Sequence, residues 1–527
     1  MKKGLNINEL TVEQKIGLII IGRRICDFDN FEFALELVKK KALGGIQGFD
    51  GSDFEKYCRP LIEAADYPLL VGTDMECGFP KGDLKIAYNI SLGLNNSAKD
   101  AYTFAKVTAM QAKQYGFNMI WSPVVDLSDI DRPMIVSRCF GSDNKKVAEF
   151  ATEYMRAFAD CGVVGAAKHF PSAEDSIYDA HMKSNKCQTD EKKIREHYTY
   201  SYRHMIEELG ENMTGIMVGH NIYEKLDPER PSSLSKKVID LIKDENFKGL
   251  ILPDSLAMMG ISQAYGRKEA LGMAVAAGND LLLVNQTIPL RETYNYLLEC
   301  YNEGVFTEER LNDAVERVIR AQNHTLKQPE SFEITDEDRE TVERINRNSI
   351  CIIADEGVPT ALDKDAKHLF VVSTENSYEL DYLGDIGEVP SINWYYPKEI
   401  AAFLEKNFPN STIMYASEFP HWRQVHKACM LSEKGVHDDV VYITFCNIDA
   451  YQGTDSLTER MRMLIDCTSY NVAAIVHFGN PYAMEKVVHV PKIIFGTPNK
   501  KSVEYALKVL TGEHEPNGTM PINLKLQ

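Results

Sequence analysis

Apolar runs alternate with amphipathic stretches over the first 325 residues of the chain. The runs are short and rich in Val, Ile and Leu, and their apolar and polar positions do not strictly alternate. This pattern is typical of strands that are buried on both faces of a parallel sheet. Eight such strands are predicted, at residues 18–21, 43–49, 69–74, 119–127, 163–170, 215–220, 249–254 and 280–285.

Helices are predicted between these strands, because apolar positions recur there at helical spacing. Eight strand–helix pairs within roughly 300 residues form a complete (β/α)8 TIM barrel. A doubly wound open sheet is the alternative arrangement of the same elements. The predicted helices cover residues 31–42, 54–65, 98–115, 145–161, 191–209, 235–245, 268–277 and 290–303.

A second α/β pattern follows the barrel. One more helix is predicted at 309–323, and the polar, acidic stretch 326–340 indicates a linker. Helices such as 397–406 and 458–467 fit between the later strands. We therefore predict a barrel domain at 1–325, a linker at 326–344 and a smaller layered α/β domain at 345–527. The strands of that domain are predicted at 350–354, 369–373, 412–415, 440–445, 472–477 and 492–495.

Charge and cysteine content limit the partners that the protein can bind and the cellular compartment in which it is expected. The net charge is −19, from 58 basic and 77 acidic residues, so nucleic acid and anionic membranes are poor partners. The N-terminus lacks the features of a signal peptide, and no apolar run reaches the roughly 18 residues of a membrane span. Eleven cysteines without a C-x-x-C pair fit free thiols in a reducing compartment. We expect a cytoplasmic protein.

Polar side chains lie at the predicted carboxyl ends of five strands, where the catalytic residues of a barrel belong. Each has a structural alternative, such as a helix cap, a turn or a satisfied core hydrogen bond. Their matched positions are difficult to explain by packing alone, and they favour the barrel over the open sheet. They are Asp74, Asp126, Lys168, His169, His220 and Asp254.

Residues 168–181, KHFPSAEDSIYDAH, form the most informative segment. Lys168 and His169 end a buried strand, and the polar loop that follows ends in Asp179 and His181. A cation and an Asp/His pair in this setting suit a hydroxyl-rich ligand and proton transfer. Asp254, an isolated carboxylate at another strand end, is a candidate nucleophile. Metal-ligand spacing and phosphate-binding glycine loops are absent from the sequence, so we expect no cofactor.

These motifs resemble those of glycoside hydrolase family 3, in its bacterial β-N-acetylglucosaminidase branch. The loop 168–181 is similar to that branch's K-H-F-P-G-x-G-D-(S/T)-x-x-D-S-H segment. GLILPDSLAM resembles the segment that carries the family's nucleophile, and SRCFGSD at 137–143 resembles one that carries a substrate-binding arginine. The match covers most of residues 8–325. The C-terminal VLTGEHEPNGTMPINL resembles, more weakly, the end of the family's second, sandwich domain.

The resemblance implies a retaining β-N-acetylhexosaminidase that removes terminal β-linked N-acetylglucosamine. Asp254 would be the nucleophile, His181 the general acid and base, and Asp179 the residue that orients His181. The C-terminal domain is interpreted as structural or as a surface for homodimer formation. The residues expected to bind the sugar are Asp74, Arg138, Lys168 and His169.

Two alternatives to hydrolysis stay open. A histidine repels an anionic acceptor less than a carboxylate does, so phosphate is an alternative to water as the acceptor. A non-catalytic sugar-binding protein on the same scaffold is the other. The sequence also departs from the branch: Ser172 and Glu174 replace loop glycines, Ser255 stands where a second Asp is usual, and Cys77 begins a stretch that lacks the branch's arginines.

Overall fold

The chain divides into two compact units. The computed structural model describes residues 2–48, 52–132, 134–172, 178–374, 395–446 and 456–526. The barrel unit comprises Met1–Lys85, Ser97–Ser128 and Arg138–Val342. The sandwich unit comprises Ile86–Asn96, Asp129–Ser137 and Glu343–Gln527.

The barrel unit contains the predicted strands in the predicted order. All its strand pairs are parallel. Its described strands are β1 (Ile20–Gly22), β2 (Gly45–Gln47), β3 (Leu70–Thr73), β4 (Met119–Ile120), β5 (Val164–Gly165), β6 (Ala167–Phe170), β7 (Lys186–Cys187), β8 (Gly215–Val218), β9 (Ile222–Tyr223), β10 (Leu250–Pro253) and β11 (Leu282–Leu283).

Parallel strands close into a ring in this unit. Hydrogen bonds join them in the order β11-β1-β2-β3-β4-β5 and, after the single residue Ala166, β6-β8-β10. The ring closes where Asp280 N donates to Ile251 O at 2.6 Å and Leu256 N donates to Leu283 O at 3.0 Å. The (β/α)8 barrel is therefore confirmed, and the open-sheet alternative is wrong.

Apolar side chains from several strands fill the barrel, as in other closed barrels of this size. Trp121 and Leu252 are among those buried there. The fourth strand is shorter than predicted, because Pro123 has no N–H to continue the ladder. Pairing resumes as an isolated bridge between Val124 and Lys168. That bridge keeps the predicted strand end beside the mouth of the barrel.

Helices follow the strands at the predicted places. Many begin with a polar cap; Ser97, for example, accepts a hydrogen bond from Asp100 N at 3.2 Å. Two further turns, Phe54–Cys58 and Ile194–Tyr198, are π-helical. The α-helices that lie within the barrel unit are Val12–Leu18, Phe28–Lys39, Arg59–Ala64, Ala98–Tyr115, Asn144–Asp160, Glu191–Lys193, Tyr200–Leu209, Lys236–Lys243, Met259–Ser262, Arg267–Ala277, Leu290–Asn302 and Glu308–His324.

The sandwich unit is built on one six-stranded sheet, in the order β12-β17-β16-β15-β13-β14. Only β12, at one edge, pairs antiparallel among these described strands. All six strands lie where the sequence predicts them. They are β12 (Cys351–Ala354), β13 (His368–Thr374), β14 (Thr412–Ser417), β15 (Asp439–Phe445), β16 (Val472–Phe478) and β17 (Lys492–Gly496).

Each face of this sheet is covered by helices. Successive side chains of a strand point to opposite faces, so Val440 and Tyr442 enter one hydrophobic core while Val441 and Ile443 enter the other. The α/β sandwich expected from the resemblance is confirmed. The α-helices within this unit are Ile90–Asn95, Pro397–Asn407, Trp422–Leu431, Glu459–Thr468 and Lys500–Leu510.

The segment interpreted as a linker contains regular structure. The helix Asp336–Asn348 begins inside it, and Lys106 Nζ lies 3.0 Å from Asp338 Oδ1. Its role as a linker between domains stays a prediction. Across the described ranges, no helix is both long and apolar enough to cross a membrane.

Candidate active site

Charged side chains meet where the strands of the barrel end. Lys168 on β6 places its Nζ 2.6 Å from Asp74 Oδ1 and 2.8 Å from Glu76 Oε1, just beyond β3. Arg138 binds Glu76 through two hydrogen bonds, of 2.6 Å from Nη2 and 2.8 Å from Nε. Glu76 is 8% exposed and Asp74 is 59% exposed. Glu76 is therefore the buried anchor of this network, and Asp74 is its accessible edge.

The network is charged at neutral pH. Burial alone raises the pKa of Glu76, but the charges of Arg138 and Lys168 outweigh it and hold that pKa well below its usual range. Burial also lowers the pKa of Lys168, but the charges of Asp74 and Glu76 outweigh it and leave that pKa above its ordinary value. Two cations and the Asp74 carboxylate can thus offer charge-assisted hydrogen bonds to a ligand rich in hydroxyl groups.

Asp254 directly follows β10 and is held by the backbone. Its N–H donates to Val218 O at 2.8 Å, and Ser255 N donates to its Oδ1 at 2.7 Å. Its Oδ2 lies 3.7 Å from His169 Nε2, and the side chain is 20% exposed. Burial alone raises the pKa of Asp254, but the electrostatic effects of His169, His220 and Lys168 outweigh it and hold that pKa well below its usual range. Asp254 is therefore an ionised carboxylate that keeps access to the mouth of the barrel.

His169 and His181 are each held by an aspartate in the same way. The backbone N–H and Nδ1 of His169 both lie against Asp126 Oδ2, at 3.1 and 2.8 Å. The backbone N–H and Nδ1 of His181 both lie against Asp179 Oδ1, at 2.9 and 2.8 Å. Because an ionised carboxylate only accepts hydrogen bonds, Nδ1 carries the proton in both rings. The Nε2 atom of each histidine takes no part in this contact with the aspartate.

The Asp179–His181 pair suits proton transfer. Asp179 is buried, whereas the His181 side chain is 30% exposed. A fixed imidazole on a partly exposed side chain can give a proton to an oxygen through Nε2 and take one back. This pair, predicted from the sequence, is present as a hydrogen-bonded dyad.

The loop that carries His181 is fastened to the barrel. Its strand β7 pairs with β9, and Asn185 binds both Tyr178 and Asn221. Met259 N donates to His181 O at 3.0 Å, in the segment that follows Asp254. Of the loop substitutions noted in the sequence, Glu174 lies outside the described residues.

The segment after Met259 runs close to the same loop. A Cβ on Gly260 would lie 2.6 Å from Ser184 N, so only glycine permits this approach. The dyad is thereby held beside the segment that follows the candidate nucleophile.

His220 makes structural hydrogen bonds in this site. Its Nε2 lies 3.0 Å from Ser255 O and its Nδ1 lies 2.7 Å from Ser233 Oγ. Burial lowers the pKa of His220, so the ring is neutral, donating from Nε2 and accepting at Nδ1. Ser255 also accepts a hydrogen bond from Arg23 at 2.7 Å. The backbone next to Asp254 is therefore held from two sides.

The seven residues predicted for the site form three local groups in the barrel unit. The groups are Asp74, Arg138 and Lys168; His169 and Asp254; and Asp179 and His181. Their catalytic and sugar-binding roles stay predictions.

Sequence reasoning missed Glu76, whose only signal was its position two residues after Asp74. In the part of the chain that the structure describes, no group of three or more His, Cys, Asp or Glu side chains is arranged to hold a metal ion.

Comparison with known proteins gives relatives for the barrel. The family model described as the glycosyl hydrolase family 3 N terminal domain matches residues 11–321. A β-N-acetylglucosaminidase/β-glucosidase of Cellulomonas fimi is 27% identical over 306 residues, which are 55% of this chain and 53% of that protein. A β-hexosaminidase of Tolumonas auensis is 26% identical over 281 residues, which are 51% of this chain and 82% of that protein. The match thus spans about half the length of the first relative.

Solved structures resemble both units of the chain. A family 3 β-N-acetylglucosaminidase from a Paenibacillus species has a TM-score of 0.80 at 24% identity, covering 98% of this chain and 100% of that one. The β-glucoside phosphorylase BglX has a TM-score of 0.79 at 20% identity, covering 98% of this chain and 94% of that one. At these identities the likeness supports the fold alone. Because the family model matches more than half of the chain, the protein belongs to glycosyl hydrolase family 3.

Proposed function

We propose that the protein is a retaining glycoside hydrolase that removes terminal β-linked N-acetylglucosamine. The observation that carries the proposal is the pairing of an ionised carboxylate, Asp254, with an Asp179–His181 dyad on a loop bonded to the next segment of chain at Met259. A nucleophile and a separate proton donor are the two groups that a retaining mechanism requires.

In the first step, Asp254 attacks the anomeric carbon and forms a covalent bond to it. The bond from that carbon to the leaving oxygen breaks, and His181 Nε2 gives its proton to that oxygen. Asp179 accepts the Nδ1–H hydrogen bond, so it holds the ring in place and stabilises its protonated form. The products of this step are a glycosyl-enzyme, a neutral imidazole and the free alcohol.

In the second step, His181 Nε2 takes a proton from water as the water oxygen attacks the anomeric carbon. The bond to Asp254 breaks, the carboxylate is restored and the sugar leaves with its original anomeric configuration. His181 ends the cycle protonated, as it began. Asp74, Arg138, Lys168 and His169 would bind the sugar hydroxyls through both steps.

The choice of N-acetylglucosamine as the sugar is part of the proposal. It is supported by the names of the relatives from Cellulomonas fimi and Tolumonas auensis and by the family resemblance of the loop that carries Asp179 and His181. A cytoplasmic location is also proposed. It is supported by the eleven cysteines, which are free thiols in the structure.

Phosphorolysis is the second candidate. His181 is neutral once it has given up its proton, so it does not repel a phosphate that approaches the glycosyl-enzyme, as a carboxylate would. The protein shares its fold with a β-glucoside phosphorylase, and this fold is compatible with phosphorolysis.

The test is release of a chromophore from an aryl N-acetyl-β-glucosaminide, with and without phosphate. We expect release by the wild type and none above background by Asp254→Ala. Formation of sugar 1-phosphate in phosphate buffer would select phosphorolysis, and the free sugar in both buffers would select hydrolysis. Trapping with a 2-fluoro sugar should label the peptide that contains Asp254. No release by the wild type from any β-glycoside, together with tight sugar binding, would indicate a non-catalytic sugar-binding protein.

A further inference from the structure

We infer that Asp126 is a positioning residue that acts through His169, fixing the ring nitrogen that faces Asp254 and the sugar. The inference rests on the proposed function of the site. It goes beyond that function, because Asp126 is not expected to touch the sugar itself. Its side chain is fully buried against His169.

The hydrogen bonds on Asp126 Oδ2 carry the argument. One oxygen receives both the backbone N–H and the ring Nδ1–H of His169, at 3.1 and 2.8 Å. Two bonds from one residue to one oxygen fix the ring against rotation about its side-chain bonds. Because the carboxylate only accepts, Nδ1 holds its proton and Nε2 faces Asp254 Oδ2 at 3.7 Å.

The Asp179–His181 pair has the same arrangement of hydrogen bonds as the Asp126–His169 pair. Both aspartates accept the backbone N–H and Nδ1–H of their histidine on one oxygen, and the proposed reaction uses both pairs. They differ in where they lie: His169 is on strand β6, whereas His181 is on a loop. The first pair is therefore suited to holding a fixed nitrogen beside the nucleophile, and the second is suited to exchanging protons.

Loss of Asp126 would release the ring of His169. The imidazole could then take the tautomer with a proton on Nε2, or turn that nitrogen away from Asp254. In the first case Nε2–H would compete for the carboxylate oxygen that must attack the sugar. In the second case the sugar would lose a partner. Either change would reduce the stabilisation of the transition state more than it would reduce the stability of the folded protein.

A double-mutant cycle tests whether Asp126 acts through His169. We expect Asp126→Ala to lower kcat/KM by at least about tenfold, the lower range for an orienting partner. Asp126→Asn keeps an acceptor oxygen and should recover part of that loss. In a His169→Gln background, Asp126→Ala should cost less than about twofold, since the two residues act as one unit. An equal cost in both backgrounds would overturn the inference.

Asp338→Ala is the matched control. Asp338 is also a buried aspartate of the barrel unit, and it accepts hydrogen bonds from Thr335 and Lys106. We expect its substitution to lower the thermal midpoint without changing kcat/KM of the folded protein. A loss of kcat/KM as large as that of Asp126→Ala would mean that general destabilisation explains both, and would overturn the inference.

A nitrogen-15 NMR measurement on the wild type requires no active enzyme and no folded Asp126 variant. The His169 ring signals are assigned by their absence in His169→Gln. We expect Nδ1 of His169 to carry a proton at every pH at which the protein is folded, and an unprotonated Nδ1 would overturn the inference. If Nδ1 is protonated but no glycoside is cleaved, the proposed function fails while the positioning role stands.

Discussion

Glu76 and Arg138 face each other through two parallel hydrogen bonds, and both side chains are largely buried. The planar guanidinium matches the carboxylate at both oxygens, a geometry that lysine cannot reproduce. Glu76 Oε1 also lies 2.8 Å from Lys168 Nζ. One carboxylate that the sequence did not single out therefore holds both cations that are proposed to bind the sugar.

Replacing Glu76 tests this arrangement. In Glu76→Gln the two cations lose a buried counter-charge, and breaking a buried pair in this way typically costs about 3 kcal/mol or more. We expect the free energy of unfolding to fall by about that amount. Because Arg138 and Lys168 would lose their fixed positions, KM should rise more than kcat falls. Urea denaturation and steady-state kinetics measure the two effects.

Glu55→Gln is the control for that variant. Glu55 pairs with Arg59 at 2.9 Å on the surface of a helix, where solvent and mobile side chains weaken ion pairs. We expect its urea midpoint and its kinetics to match the wild type. Similar losses in the two variants would contradict the importance given to the burial of Glu76.

Replacing His181 tests its proton transfer. A general acid is needed most when the leaving alcohol is a poor leaving group, and its contribution is typically about 10²- to 10⁴-fold. We expect His181→Gln to lose activity in that range on an alkyl or sugar β-glycoside. A nitrophenyl glycoside, whose leaving group departs without a proton, should lose far less in the first step. Pre-steady-state release of nitrophenol measures that step directly.

His204→Gln provides the matched control, because His204 stacks on Tyr200 in the helix Tyr200–Leu209 and has no role in the proposed mechanism. It should keep wild-type rates on both substrates. An equal loss by His181→Gln on the alkyl and nitrophenyl glycosides would contradict the general-acid role.

Much of the fold could be predicted from the sequence, because buried parallel strands have a simple pattern. An apolar run that ends at a carboxylate, as at Asp74 and Asp254, predicts both a buried strand and a polar side chain at the end of that strand. In a barrel these ends converge, so the strand order alone brings distant residues to one mouth. The early end of β4 was missed because apolar residues continue past Pro123, which cannot donate to the ladder.

The arrangement within the site was harder to predict. The position of Asp126 at a predicted strand end is equally compatible with a turn residue, and only the structure places its Oδ2 against the ring of His169. Which nitrogen of a histidine faces the ligand depends on where its partner oxygen lies, to within a fraction of an ångström. Glu76 was missed for the same reason, since its partners lie 62 and 92 residues away along the chain, at Arg138 and Lys168.

Asn185 offers a test of the loop that carries the dyad. Its side chain exchanges two 3.0 Å hydrogen bonds with the backbone of Tyr178 and donates to Asn221 at 3.2 Å. Asn185→Ala removes these side-chain bonds and changes no residue of the barrel strands. We expect faster amide exchange at residues 178–187 and a lower kcat, with little change in the thermal midpoint. The exposed Lys192→Ala should leave all three as in the wild type; unchanged exchange in Asn185→Ala would contradict the anchoring role.

His477 gives the sandwich unit a predictable dependence of stability on pH. The ring is fully buried, with Nε2 2.9 Å from Asn480 O and Nδ1 2.9 Å from Thr444 Oγ1. A carbonyl only accepts, so Nε2 donates to it and Nδ1 accepts from the threonine hydroxyl. This is the neutral ring, and burial lowers the pKa of His477 from 6.5 to about 4.

Because this pKa is depressed in the folded state, the unfolded chain takes up a proton first as the pH falls. The stabilisation from the neutral ring is full above pH 6.5 and is lost between pH 6.5 and 4. A shift of this size corresponds to about 3 kcal/mol. His477→Gln removes this contribution. As the pH is lowered, the unfolding free energy of the sandwich unit should therefore fall less steeply in the variant than in the wild type. His426→Gln, which changes an exposed histidine of the helix Trp422–Leu431, should keep the wild-type slope. Parallel curves for wild type and His477→Gln in urea unfolding at pH 7 to 4 would contradict the assignment of a neutral buried ring.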